Sequence, residues 1–260
     1  MVNVCRTVQC RQAKVMSLAW HPIKEGLLAF GTDEGRVCWV DSLAARATPA
    51  LSQYQHRAGV YCVAWLDTRS LVTCGDGKIV RHCIQTGKGE EMQLGEGASA
   101  SGKSQVVIYE RADTRLLLVG HEDGGIQVFR LEDGGSFRLL ATIKSQNKLI
   151  QSLALHPLYL ADGAEAEFPN FLASANNEFP VHVFDLTSVL EAGGEPGQPE
   201  IIVTPTVTLT GHLQRVIELA WSPHVSSLLC SVSYDFSCQV IITTFSDLMT
   251  SCHSVGVGRV

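Results

Sequence analysis

The chain writes one apolar phrase again and again, and that repetition limits its fold more than any other feature. "VMSLAWHP" at 15–22 returns as "VYCVAWLD" at 60–67, "LIQSLALHP" at 149–157 and "VIELAWSP" at 216–223, with a weaker "SQVVIYE" at 104–110. Trp20, Trp65, Tyr109 and Leu155 therefore stand 45, 44 and 46 residues apart, and Trp221 follows after a longer gap that holds two insertions. A fixed period of this length belongs to repeat architectures, in which each unit buries its apolar face against the next. After each phrase comes a second apolar run and a tight turn: "LLAFGTDEGRV", "LVTCGDGKIV", "LLLVGHEDGGIQV", "FLASANNEFPV" and "LLCSVSYDFSCQV". Asp33, Asp76, Asp123 and Asp235 lie beside Gly or small residues, as hairpin turns require. A third run follows, and "VCWVD" and "VHVFD" close it with an aromatic residue and Asp.

Four short strands in a period of about 45 residues are the signature of a β-propeller blade. The aromatic–Asp endings, and a His nine residues ahead of Trp65 and Trp221 (His56 and His212), resemble WD repeats. No helix-period stripe competes. The expected fold is all-β, a WD-repeat β-propeller with about five blades. Trp20, Trp65 and Trp221 are expected in its core, and His56 and His212 bonded within their blades. The Asp residues hold the turns, with Asp76 and Asp235 beside the rim. "LGEGASASGKS", "YLADGAEAEFPN" and "TSVLEAGGEPGQPEIIVTP" read as surface loops, because Gly, Pro and acidic residues break strand patterns. The repeats run through residues 1–240 as one propeller segment, and 241–260 reads as an atypical tail. Five blades of a larger ring leave strand edges exposed, so an incomplete ring is expected.

Composition narrows the function. A formal net charge of −6 over 260 residues excludes a broad basic footprint for duplex DNA, while a local basic rim stays possible. Nine cysteines (5, 10, 38, 62, 74, 83, 230, 238 and 252) form no Cys-x-x-Cys pair, so neither a disulfide framework nor a zinc site is indicated, and reduced thiols are expected. The start "MVNVCRTVQC" lacks a signal-peptide core, and no apolar run reaches membrane-spanning length. Intracellular location and no membrane partner are the expectation. No nucleophile elbow, metal-helix motif or phosphate loop with correct spacing is present, so neither an enzyme nor a cofactor is expected.

Beyond the generic skeleton, "KVMSLAWHPIKEGLLAFGTDEGRV" resembles a blade of the second propeller of the gemin five family, WD-repeat RNA-binding subunits of the SMN complex. "NKLIQSLALHP…FLASANNEFPVHVFDLTSVLE" and "TLTGHLQRVIELAWSPHVSSLLCSVSYD" are similar to that family's following blades in the same order. The resemblance covers roughly residues 10 to 240, insertions included. It implies recognition of small nuclear RNA, through its methylguanosine cap and Sm site, for spliceosomal snRNP assembly with SMN-complex subunits in cytoplasm and nucleus. It also implies translation control, with the ribosome or mRNA as partners. Tyr61 in "GVYCVAW" matches a cap-pocket aromatic of the family, Tyr234 in "SVSYDFS" matches another, and Arg215 in "GHLQRVIELAW" matches a basic residue there, usually Lys. A further basic residue of that pocket falls beyond Gln239, where this chain departs.

The residues suit that chemistry. Strands in a blade alternate direction, so the loop entering the first strand and the turn joining the second and third lie at one end. A methylated guanine is a cationic π-system that stacks on tyrosine, and arginine can bind cap phosphates. Lys14 stands six residues before Trp20, as Arg215 does before Trp221, and Lys148 stands seven before Leu155, so both are candidates to extend an RNA rim. The competing reading is a WD-repeat scaffold whose rim binds protein partners and no nucleic acid.

Overall fold

The computed structural model describes residues 13–44, 48–92, 105–111, 114–132, 137–144, 146–157, 163, 170–192, 200–202, 204–242 and 254–256. Its strands, in chain order, are β1 (Val15–Trp20), β2 (Leu27–Thr32), β3 (Val37–Asp41), β4 (Ala50–Leu51), β5 (Cys62–Trp65), β6 (Ser70–Gly75), β7 (Lys78–Cys83) and β8 (Gly89–Glu91). There follow β9 (Gln105–Arg111), β10 (Thr114–Gly120), β11 (Ile126–Leu131), β12 (Phe137–Ile143), β13 (Ile150–Leu155), β14 (Phe171–Asn176) and β15 (Val181–Asp185). A short helix α1 (Thr187–Ala192) comes next, then β16 (Glu200–Ile202), β17 (Val207–Leu209), β18 (Val216–Trp221), β19 (Leu228–Ser233), β20 (Cys238–Ile242) and β21 (Ser254–Gly256).

These strands form five sheets: β1-β2-β3-β4, β5-β6-β7-β8, β16-β12-β11-β10-β9, β13-β14-β15-β17 and β18-β19-β20-β21. Each is a propeller blade, and the period in the sequence is one blade long. The chain divides into two compact units, Met1–Leu94 with Ser99–Ile108, and Gly95–Ala98 with Tyr109–Val260.

Within the N-terminal unit, the alternation of β1, β2 and β5 fixes how blades stack. Leu27 and Ala29 of β2 and Val37 and Trp39 of β3 bury against Val60, Val63 and Trp65 of the next blade. Two polar ties set the register: the Trp65 indole N–H donates to the Ala19 carbonyl at 3.0 Å, and the Val63 N–H donates to Ser17 Oγ at 3.1 Å. The C-terminal unit repeats the device. Phe171, Ala173, Ala175, Val181 and Val183 receive Val216, Leu219 and Trp221. There the Trp221 indole donates to Ala154 O at 3.0 Å, and Leu219 N–H donates to Ser152 Oγ at 3.2 Å.

The same pairing explains "WHP" and "LHP". His21 Nδ1 accepts from Ile23 and Lys24 N–H at 3.0 and 2.7 Å, which leaves Nε2–H to donate to Thr68 O in the next blade at 3.2 Å. The imidazole also meets the Trp65 ring edge-on, with 4.5 Å between centroids. His156 stands 4.7 Å from the Trp221 ring and reaches Ser226 O at 2.7 Å. The two histidines hold the corner where one blade meets the next.

Two expectations need correcting. Trp65 and Trp221 are buried, but Trp20 is 59% exposed. Each buried Trp donates to a carbonyl of the blade before it, and among the described residues no carbonyl receives the Trp20 indole. The insertion after Asp185 is also more than a loop. Asp185 Oδ1 accepts the Thr187 N–H at 2.8 Å and starts α1, whose Val189 is buried. Further on, β16 pairs parallel to β12 as a fifth strand. In the last blade β21 pairs antiparallel with β20 as the fourth strand.

Candidate nucleic-acid interface

In the last blade, Arg215 enters β18 and Tyr234 lies in the β19–β20 turn. The Tyr234 N–H donates to the Arg215 carbonyl at 3.2 Å, joining loop and turn. Equivalent bonds run from Asp33 N–H to Lys14 O at 3.0 Å and from Asn177 N–H to Leu149 O at 3.1 Å, so the shared end expected from strand alternation recurs in three blades. On this bond the two side chains meet. The Arg215 guanidinium sits 4.3 Å from the Tyr234 ring centroid, a cation–π stack, and Tyr234 keeps 46% of its surface exposed.

Beneath the stack is a rigid support. His212 Nδ1–H donates to Asp235 Oδ2 at 2.9 Å, and its Nε2 meets Ser231 Oγ at 2.9 Å. Asp235 also accepts from Leu213 N–H and Ser237 N–H, each at 2.9 Å. Burial pushes its carboxyl up, but the hydrogen bonds from Ser237, Leu213 and His212 outweigh that and hold it well below the usual carboxylate range. Next to Tyr234, Phe236 is 88% exposed at φ +64°. Gly35 and Gly124 hold the same turn position, as Gly35 N–H to Thr32 O, Gly124 N–H to His121 O and Phe236 N–H to Ser233 O show (3.1, 3.2 and 3.3 Å). Positive φ disfavours a bulky side chain. The sequence signals it only as "YDFS", where the turns of the first and third blades write Gly35 and Gly124.

In the N-terminal unit, Tyr61 is half-buried at the start of β5, and its N–H donates to Cys74 O at 2.9 Å. Its ring lies over Gly59, whose added Cβ would stand 3.5 Å from Tyr61 Cζ. The loop before it is pinned by His56, which binds Asp76 Oδ1 at 2.8 Å and Thr73 Oγ1 at 2.8 Å. Asp76 at φ +47° and Gly77 at φ +75° make the two-residue hairpin that "CGDGKIV" foretells. Lys14 is exposed, and its backbone N–H donates to Asp33 Oδ1 at 2.9 Å. In the C-terminal unit, Lys148 is exposed one residue before Leu149. The structure thus brings Arg215 and Tyr234 into contact and places Tyr61, Lys14 and Lys148 on loops at the strand-entry ends of their own blades.

Among the described residues no cluster of His, Cys, Asp and Glu is placed to hold a metal ion, and no helix is long and apolar enough to cross a membrane.

The fold and these loop-borne side chains define a WD-repeat β-propeller protein, a class of binding and scaffold proteins. The WD domain, G-beta repeat family matches residues 48–81 and 203–241. The chain is 31% identical to human Gem-associated protein 5 over 88% of its own length, and 32% identical to the mouse protein over the same share. Over this segment the chain is similar to Gem-associated protein 5, in agreement with the resemblance read from its blades. It spans 16% of the length of each of these relatives.

Proposed function

We propose that this chain is an RNA-binding WD-repeat segment that recognises the methylguanosine cap and Sm-site region of small nuclear RNA, in the SMN-complex assembly of spliceosomal particles. The observation that carries the reading is the Arg215–Tyr234 stack, a half-exposed aromatic face with a fixed cation beside it, on a protein whose overall charge is acidic. A methylated guanine carries positive charge in its ring, so it favours a tyrosine face over water, at about 1–3 kcal/mol per stacked base. The guanidinium beside it offers paired N–H donors to the cap phosphates, each charge-assisted bond contributing about 1.5–3 kcal/mol. The relatives' name, Gem-associated protein, and the family resemblance of the blades support the same reading. On this reading Tyr61 is a second stacking aromatic, Lys14 and Lys148 add phosphate contacts, the chain has no catalytic role, and it works in cytoplasm and nucleus, with ribosome or mRNA as further partners.

The test is fluorescence titration with 7-methylguanosine triphosphate, with unmethylated guanosine triphosphate as control. Tyr234→Ala should weaken cap binding by roughly 5- to 150-fold, the equivalent of one lost stack. Arg215→Lys should cost less than Arg215→Ala, because charge survives while the planar fork is lost. Tyr61→Ala is read separately. If the parent does not distinguish the methylated from the unmethylated nucleotide, the protein-scaffold reading takes its place.

A further inference from the structure

Two thiols in the last blade stand closer together than their neighbours require. Cys230 of β19 and Cys238 of β20 bring their Sγ atoms within 3.2 Å. In the ladder Cys230 faces Val240 and Cys238 faces Val232, so the two are diagonal neighbours on one face of the sheet. Cys238 is exposed and Cys230 half-buried. A disulfide needs sulfurs about 2.05 Å apart, so closure asks for an approach of about 1.1 Å. We infer that Cys230 and Cys238 form a thiol–disulfide modification site, which low-molecular-weight disulfides such as oxidised glutathione close into a reversible cross-strand bridge.

The chemistry balances with two thiols and one glutathione disulfide. The exposed Cys238 sulfur, as thiolate, attacks one sulfur of oxidised glutathione; the S–S bond breaks and the first glutathione leaves as thiol after taking a proton from solvent. Cys230 then gives its proton to solvent and attacks the Cys238 sulfur of the mixed disulfide, expelling the second glutathione. Burial, with the neighbouring Cys238, pushes the Cys230 thiol up to about 11, which leaves the first attack to its exposed neighbour; Cys230 enters second because its sulfur already lies in contact with the Cys238 sulfur. The bridge would join the strands on either side of the turn that carries Tyr234.

Another cysteine pair shows what a buried arrangement looks like. Cys62 and Cys74 face each other directly across β5 and β6, and both are buried. Burial, then the neighbouring Cys62, pushes the Cys74 thiol well above its ordinary value. An oxidant in solution meets Cys238 before it meets either of these.

The experiment incubates the whole chain with oxidised glutathione, blocks remaining thiols and maps peptides after chymotrypsin, which can cut at Tyr234 and Phe236 between the two cysteines. The expected product is a single linked pair of fragments, one bearing Cys230 and one Cys238, that dithiothreitol separates. Cys230→Ser should stop at a stable glutathione adduct on Cys238, and Cys238→Ser should leave Cys230 largely unmodified. Separate glutathione adducts on both cysteines of the parent, or a bridge from either one to Cys252, overturn the inference. Because the map of the parent suffices, it holds even if a variant fails to fold.

Discussion

His82 should make the N-terminal unit acid-sensitive, by an amount that its hydrogen-bond network allows to be worked out. His82 is fully buried on β7. Its Nε2 lies 2.8 Å from Thr73 Oγ1, and its Nδ1 lies 2.7 Å from Ser52 Oγ. Proton positions follow from the neighbours. His56 Nδ1 faces two acceptors, Asp76 Oδ1 and Gly75 O, so it carries the proton and His56 Nε2 accepts from the Thr73 hydroxyl. Thr73 Oγ1 then accepts from His82 Nε2–H, and the Ser52 hydroxyl donates to His82 Nδ1. The chain is satisfied with His82 neutral. Burial, with the nearby His56, pushes the His82 imidazole down to about 3.

A folded value below the unfolded one, about 6.5, means the unfolded chain binds the proton first, so stability present above pH 6.5 is lost as pH falls from there toward 3. Linkage gives a loss of about 1.4 kcal/mol at pH 5.5 and about 2.7 kcal/mol at pH 4.5 from this one group. The perturbation is His82→Gln, which keeps an amide near Thr73 and cannot gain charge. Urea unfolding of parent and variant at pH 7.5, 5.5 and 4.5 reads the difference. The variant should be less stable than the parent at pH 7.5, and the gap should narrow by roughly the amounts above as pH falls. A gap that stays constant from pH 7.5 to 4.5 would show that His82 does not couple to folding, and the network assignment would be wrong.

Three further outcomes test the packing and the turns. Trp65→Ala should cost about 3–5 kcal/mol by chemical denaturation, as a buried large-to-small change does, whereas Trp20→Ala, at the same place in its own repeat but 59% exposed, should cost under about 1 kcal/mol. Equal losses would mean that the β1 face is covered in solution. Gly35→Ala should lower the melting temperature clearly, because its Cβ would stand 2.1 Å from His56 O at φ +82°. Phe236→Gly should leave stability unchanged or raise it by a few tenths to about 1 kcal/mol, since glycine accepts φ +64° freely.

Periodicity made the blades legible because each one buries the same apolar positions against its neighbour, and a chain cannot hide a demand it repeats. The turns were legible for the same reason: Asp76–Gly77 needs positive φ twice, and only a short list of residues supplies it. Less legible was anything decided by what stands next to a residue. Trp20 and Trp65 are the same letter at the same place in matching phrases; one is buried and one is not, because burial depends on the neighbouring blade. The helix over Thr187–Ala192 was lost for a related reason, since a single turn leaves too few residues for a helical period to register.

The candidate site divides along the same line. That loop and turn share one end follows from strand alternation alone, and the Arg215–Tyr234 backbone bond has that geometry. That the guanidinium then lies over the ring is a side-chain outcome no spacing rule contains. It depends on His212 and Asp235, whose bonds to Leu213 and Ser237 fix the loop and the turn against each other. A histidine nine residues before a tryptophan and an aspartate after a tyrosine look like fold residues, and they are. In this blade they also decide where the exposed aromatic and the cation meet, so a substitution at either should disturb the stack without removing a single atom of it.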